Sequence, residues 1–178
     1  MTVEISPSVF EQVFFDVAEI ADVFEEARLA VSGLPLDLDV SITVNEKVPN
    51  TRVAITTLDP VVFYVESGAL EDTKVPRTFS ADAAMATFCR LHLELRDRLD
   101  DTFGAPALDE EISQADAVSW AVYCYGRATR IGAKVFKPRY RYDFRNRHGF
   151  SDATDANYEL LWSSDALTWD QIRAMSAE

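Results

Sequence analysis

The chain has 178 residues, 30 acidic against 17 basic side chains, and a net charge of −13 at pH 7. Its 48% apolar and 26% charged content excludes intrinsic disorder and supplies enough apolar side chain for a buried core without disulfides or metal as staples. No apolar run approaches the ~20 residues that cross a bilayer, and the strong negative charge opposes both nucleic acid and anionic lipid.

The start, Met1 to Ile5, lacks the basic segment and apolar run of a secretory signal, so a cytoplasmic protein is expected. Ser6-Pro7 reads as a helix cap followed by proline at the first helical position, with Ser8 and Glu11 as a capping box one register later. Phe10, Val13, Phe14, Val17, Ile20, Ala21, Phe24 and Val31 recur at helical spacing, and Gly33 with Pro35 ends the run. A strand follows. Leu36, Leu38, Val40, Ile42 and Val44 alternate with Asp37, Asp39, Ser41, Thr43 and Asn45, the period of a sheet with one wet face, as in antiparallel sheets. Arg52 to Leu58 and Val61 to Glu66 are further β-rich runs, separated by Asp59-Pro60. That dipeptide does not suit the primed turn of a two-residue hairpin, which predicts a bulge or bend.

Residues 67 to 79 read as a connector, after which Ser80 caps a long helix with Ala84, Phe88, Leu91, Leu95 and Leu99 inward. Ser113 caps another, with Ala117, Trp120, Cys124, Ala128 and Ile131 inward and Gly132 past its end. Residues 138 to 149 alternate like a strand at Tyr140, Tyr142 and Phe144. Pro138 at the start, Gly149 at the end and Arg145, Arg147 and His148 near the tail are helix-boundary chemistry, which favours helix. Ser151 or Asp152 starts a short helix through Trp162, and Thr168 with Gln171 forms a capping box for a last one. The expected fold class is therefore α+β: an N-terminal helix, a small mainly antiparallel sheet of about three strands, then several packed helices. It forms one domain over residues 1–178, with an acidic helix-plus-sheet part (1–72) and a helical part (80–178).

Charge is unevenly spread. Residues 1–72 hold 14 carboxylates against Arg28, Lys47 and Arg52, a net of −11. Residues 127–148 hold Arg127, Arg130, Lys134, Lys137, Arg139, Arg141, Arg145 and Arg147 against Asp143, eight of the 17 bases in one short stretch. Within it, Arg139, Tyr140, Arg141, Arg145, Arg147 and His148 are the candidate anion-binding residues, because guanidinium forks match phosphate and carboxylate and aromatic rings offer a stacking face. The competing expectation is that these arginines pair with the protein's own acidic half.

Catalytic signatures are sparse: glycine-rich phosphate loops, dinucleotide fingerprints and nucleophile elbows are missing, so no catalytic residue and no cofactor is assigned. Cys89 and His92 lie three apart on one helix and, with Cys124 and His148, form the weak metal candidates. Core packing is the competing reading of the cysteines, and no metal is expected. The order of helix, strands and long helix resembles the first half of a minimal zincin metallopeptidase, whose long helix bears H-E-x-x-H. Here the matching helix reads Leu91-His92-Leu93-Glu94-Leu95-Arg96. The second histidine is missing and Glu94 is two residues from His92, so the resemblance implies an element order without metalloprotease activity.

Two functions are expected from these features. The first is a non-enzymatic interaction or regulatory protein, its acidic surface (the outer face of the first helix, with Asp37 and Asp39) steering it to a basic protein partner. The alternative is an anionic small-molecule-binding domain or enzyme built on the arginine–tyrosine cluster, with His148 as acid or base. Phe150, Trp162 and Trp169 are either a dimer interface or the core of the tail.

Overall fold

In the computed structural model, residues 3–35, 38–106 and 108–176 are described. In chain order the elements are β1 (Glu4–Ser6), α1 (Val17–Ala30), β2 (Val40–Asn45), β3 (Val53–Leu58), β4 (Val61–Glu66), α2 (Ala81–Leu99), α3 (Gln114–Arg130), α4 (Lys137–His148), α5 (Asp152–Ser163) and α6 (Trp169–Ser176). The class is α+β.

The N-terminal region departs from the sequence expectation. Residues 4–6 form an edge strand that pairs with β2, Ser6 facing Thr43, so Ser6 caps no helix. Helix α1 begins eleven residues later, where Asp16 Oδ1 accepts from the amides of Ala18 (2.7 Å) and Glu19 (3.3 Å). A carboxylate that satisfies two of the first free amides defines the start of a helix more strongly than apolar spacing does. Phe10, Val13 and Phe14 precede the helix, and Phe14 is 80% exposed.

The sheet has four strands in the order β1-β2-β4-β3 rather than three. It is not mainly antiparallel: β1 with β2 and β2 with β4 are parallel, and β3 with β4 is antiparallel. Parallel pairing needs a crossover, which α1 supplies between β1 and β2 and β3 supplies between β2 and β4. Alternation in β2 holds from Val40, with Val40, Ile42 and Val44 buried. Leu36 and Asp37 lie outside the described residues, and Leu38 and Asp39 precede the strand. Across the β3–β4 turn, Leu58 pairs with Val61 around a cis Asp59–Pro60 peptide, and the register slips between Ile55 and Thr57, so the hairpin is tight and also bulged.

Helices α1 and α2 cover one face of the sheet, where Phe24 meets Phe63 (6.1 Å between ring centroids) and Phe88 (5.5 Å). The other face carries Ser41, Thr43, Asn45 and Tyr64, with Asn45 Nδ2 donating to the Tyr64 hydroxyl at 2.9 Å. Helix α3 packs against α2 and is embraced by α4, α5 and α6. Between α2 and α3 lies a buried polar knot: Asp97 accepts from Trp120 Nε1 at 3.0 Å and forms a bidentate pair with Arg127, Nη1 at 2.8 Å from Oδ1. Trp162 and Trp169 enter the core and Phe150 is 67% exposed. Leu99 and Ile131, expected inward, are 46% and 37% exposed because they fall at the ends of α2 and α3. Among the described residues no helix is long and apolar enough to cross a membrane.

Candidate functional site

Three helices face one cleft of about 430 Å³, within the range of small-molecule sites. Each presents side chains spaced i, i+3, i+4, i+7, the stripe that forms one helix face. From α2 these are Ala83, Ala86, Thr87 and Arg90; from α3, Val118, Ala121, Val122 and Tyr125; at the start of α4, Phe136, Arg139, Tyr140 and Asp143. Small residues on α2 and α3 open the space between them, and the long polar ones meet at its floor. The Arg90 guanidinium lies 5.6 Å from the Tyr125 ring centroid, and the Tyr125 and Tyr140 rings are 3.9 Å apart.

The fourth wall is the connector before α2. There Glu71 accepts from Ser67 Oγ (2.8 Å) and the Arg77 amide (2.9 Å), and Asp72 Oδ1 accepts from the Lys74 amide (2.6 Å). Both carboxylates are thus engaged in shaping the loop. Asp82 and Asp143 stand at the mouth, each beside a base: Lys134 Nζ is 3.0 Å from Asp82 and Arg139 Nε is 3.9 Å from Asp143. Arg139 Nη2 also donates to Thr51 Oγ1 at 3.3 Å, tying α4 to the turn before β3.

Arg90 is the deepest cation, its side chain 16% exposed, with Nε bonded to Glu94 at 2.7 Å. Burial disfavours its charge, but Glu94 and the Tyr125 phenol outweigh burial and hold it firmly protonated. Burial raises the Glu94 carboxyl, and Arg90 opposes that rise. Burial also lifts the Tyr140 phenol above its usual range, reinforced by Tyr125. The Tyr140 phenol therefore stays a protonated donor at neutral pH.

Helical geometry divides the basic cluster. Arg139 and Tyr140 line the cleft. Arg141 and Arg145 point away and both clamp Asp155 of α5, with Arg141 Nη2 at 2.7 Å and Arg145 Nε at 2.7 Å. These two arginines pair internally, but with the helical tail and not with the acidic N-terminal part. Their fork pushes the Asp155 carboxyl well below the usual range. Arg147 is exposed. His148 Nε2 sits 3.2 Å from Ser119 Oγ and lines a separate hollow with Phe144, Thr154 and Met175.

The weak metal candidates are not gathered. His92 lies between Phe24 and Phe63, whereas His148 lies beside Phe144 on α4. Burial pushes the Cys89 thiol up to about 12 and raises Cys124 as well, leaving both neutral. Among the described residues no group of three or more His, Cys, Asp or Glu side chains is placed to hold a metal ion. The zincin-like order also fails at its first element, which is a strand, and Glu94 turns to Arg90 while His92 faces the sheet.

No protein family, curated protein or solved structure matches this chain. Arg90, Tyr125 and Phe136 complete the cleft and escaped the sequence reading. Their signal was the repeated stripe on three helices, which carries meaning only once those helices are known to converge.

Proposed function

We propose that the protein binds an anionic small molecule in the cleft between α2, α3 and α4. The observation that carries this reading is the convergence of Arg90, Arg139, Tyr125 and Tyr140 on one cavity of about 430 Å³. Two guanidinium groups and two phenols supply the donors that recognise a carboxylate or phosphate, with Glu94 and Asp143 each already paired to one of the bases. Binding, not turnover, is assigned to the cleft.

The test is a thermal-shift and calorimetry panel of carboxylates and phosphorylated compounds at low and moderate salt. A ligand at 100 times its Kd stabilises the folded state by about 2.7 kcal/mol. Arg139→Ala and the charge-neutral double variant R90Q/E94Q should lose binding. R141A/R145A, which removes the clamp on Asp155 outside the cleft, should melt earlier and bind as before. Equal loss of binding in the clamp variant and the cleft variants would refute the assignment.

A second reading rests on α1, where Glu19, Asp22 and Glu26 form an exposed outer stripe and Asp39 is exposed nearby in sequence. Such a stripe suits a basic protein partner. Asp37, placed with it on sequence grounds, lies outside the described residues. Charge reversal of the three α1 residues should abolish salt-sensitive binding to polylysine; unchanged binding would remove this face from consideration.

A further inference from the structure

We infer that the ligand of the cleft is an amphipathic monocarboxylate, an alkyl or aryl chain ending in one carboxyl group, and not a sugar phosphate or nucleotide. This rests on the anion-binding reading above and narrows it by the chemistry of head and wall.

The head of the site is poor in net charge. Arg90 is already paired with Glu94 at 2.7 Å, and Arg139 has Asp143 at 3.9 Å. A dianionic phosphate would meet these two carboxylates along with the two bases. A single carboxylate needs less: it can accept from the Arg90 guanidinium beside Glu94 and from the adjoining Tyr125–Tyr140 phenol pair, whose rings lie 3.9 Å apart.

The walls point the same way. Ala83, Ala86, Val118, Ala121 and Val122 line the body of the cleft. Of the hydroxyls beside them, Thr87 Oγ1 already donates to the Ala69 carbonyl at 2.9 Å, while Ser80 Oγ and Thr51 Oγ1 accept from the Ala83 amide at 3.3 Å and from Arg139. A sugar laid here would bury hydroxyls against methyl groups, which is costly, whereas an apolar chain would bury apolar surface. At the mouth, Phe136 lines the cleft and is 70% exposed, a large apolar ring open to solvent. A chain with its carboxyl at Arg90 would run along the aliphatic wall and end on that ring.

The experiment is titration calorimetry of the full chain with straight-chain carboxylates from acetate to decanoate, 3-phenylpropionate, octanol, inorganic phosphate and glucose 6-phosphate. Affinity is expected to rise roughly fourfold per added methylene, the equivalent of about 0.8 kcal/mol, until the chain reaches Phe136. Phe136→Ser, a change at an exposed position, should flatten the last steps of the series, and Tyr140→Phe should weaken every carboxylate by a similar factor. Glucose 6-phosphate or phosphate binding as well as octanoate would overturn the monocarboxylate and leave the anion site standing. Octanol binding as well as octanoate would sink the anion site itself. If none of the probes binds, both fall.

Discussion

His92 offers the sharpest physical test of the fold. It is 1% exposed, its ring lies 4.7 Å from Phe24 and 5.4 Å from Phe63, and neither ring nitrogen has a hydrogen-bond partner among the described residues. Burial lowers its pKa from the usual value to about 3, and the nearby Arg28 charge adds to the effect, while the Phe88 backbone opposes it. Arg28 is itself bonded to Glu25 on the same helix. Below pH 6.5 the unfolded chain takes up a proton that the folded chain refuses, so stability falls as pH falls from 6.5 toward 3. The slope is about 1.4 kcal/mol per unit, so His92 alone removes about 2 kcal/mol between pH 7 and pH 5. His92→Leu keeps an apolar side chain between the two phenyl rings and has no proton to take up. Urea unfolding of both proteins at pH 7 and pH 5 should show the parent losing about 2 kcal/mol more than the variant, a difference of about 1 M in midpoint at the slopes typical of small proteins. Other titrating groups, His148 and Asp155 included, are common to both and cancel. Equal losses in the two proteins would mean that His92 is either protonated in the folded state or wetter than its packing implies.

Two further outcomes follow from buried contacts. Arg127→Met should cost about 3–5 kcal/mol in chemical denaturation, because Asp97 keeps a buried charge held by the Trp120 indole and by Arg96 at a loose 3.8 Å. The double variant D97N/R127M should recover much of that loss, and its failure to do so would show that the pair matters through packing and not through charge. Gly126→Ala should cost about 3 kcal/mol by thermal unfolding, because the added methyl would overlap the Trp162 carbonyl, which is α5 backbone and cannot swing aside.

Most helical elements were legible in local chemistry. Ser80, Ser113, Ser151 and the Thr168–Gln171 pair each announce a start, and each side-chain cap is made, Ser151 Oγ accepting from the Thr154 amide at 3.1 Å, for example. Gly149, with φ of 93°, ends α4 where a residue bearing a Cβ is disfavoured. The N-terminus misled because two signals compete there. Ser6-Pro7 with Phe10, Val13 and Phe14 mimics a capped amphipathic helix, while the true cap, Asp16 followed by Glu19, stands ten residues on with the same spacing. What decides between them is tertiary: residues 4–6 are taken by β2, a partner 37 residues away in the Glu4–Ser41 pair. Strand direction was hidden for the same reason. Val40, Ile42 and Val44 tell which face is buried, and nothing in a period of two says whether the neighbour runs up or down.

The site was half legible, and the missing half follows a physical rule. A basic run in sequence becomes two faces once it is wound into a helix: positions 139, 140 and 143 look one way, 141 and 145 another. Counting charge along the chain cannot separate them, but helical period can, and the two arginines that face α5 find the Asp155 carboxylate within reach of their own neighbouring turn. Arg90 is the reverse case. It stands among apolar residues of α2 with its acid, Glu94, one turn on, and so reads as an ordinary i, i+4 surface pair. Only the approach of Tyr125 and Tyr140 from two other helices turns that pair inward and makes its guanidinium the floor of a cleft. A local ion pair that becomes a site in this way should reveal itself by non-additivity. Removing Tyr140's hydroxyl and neutralising the Arg90–Glu94 pair together should cost ligand binding less than the sum of the separate losses, because on the proposed reading both changes act on one carboxylate.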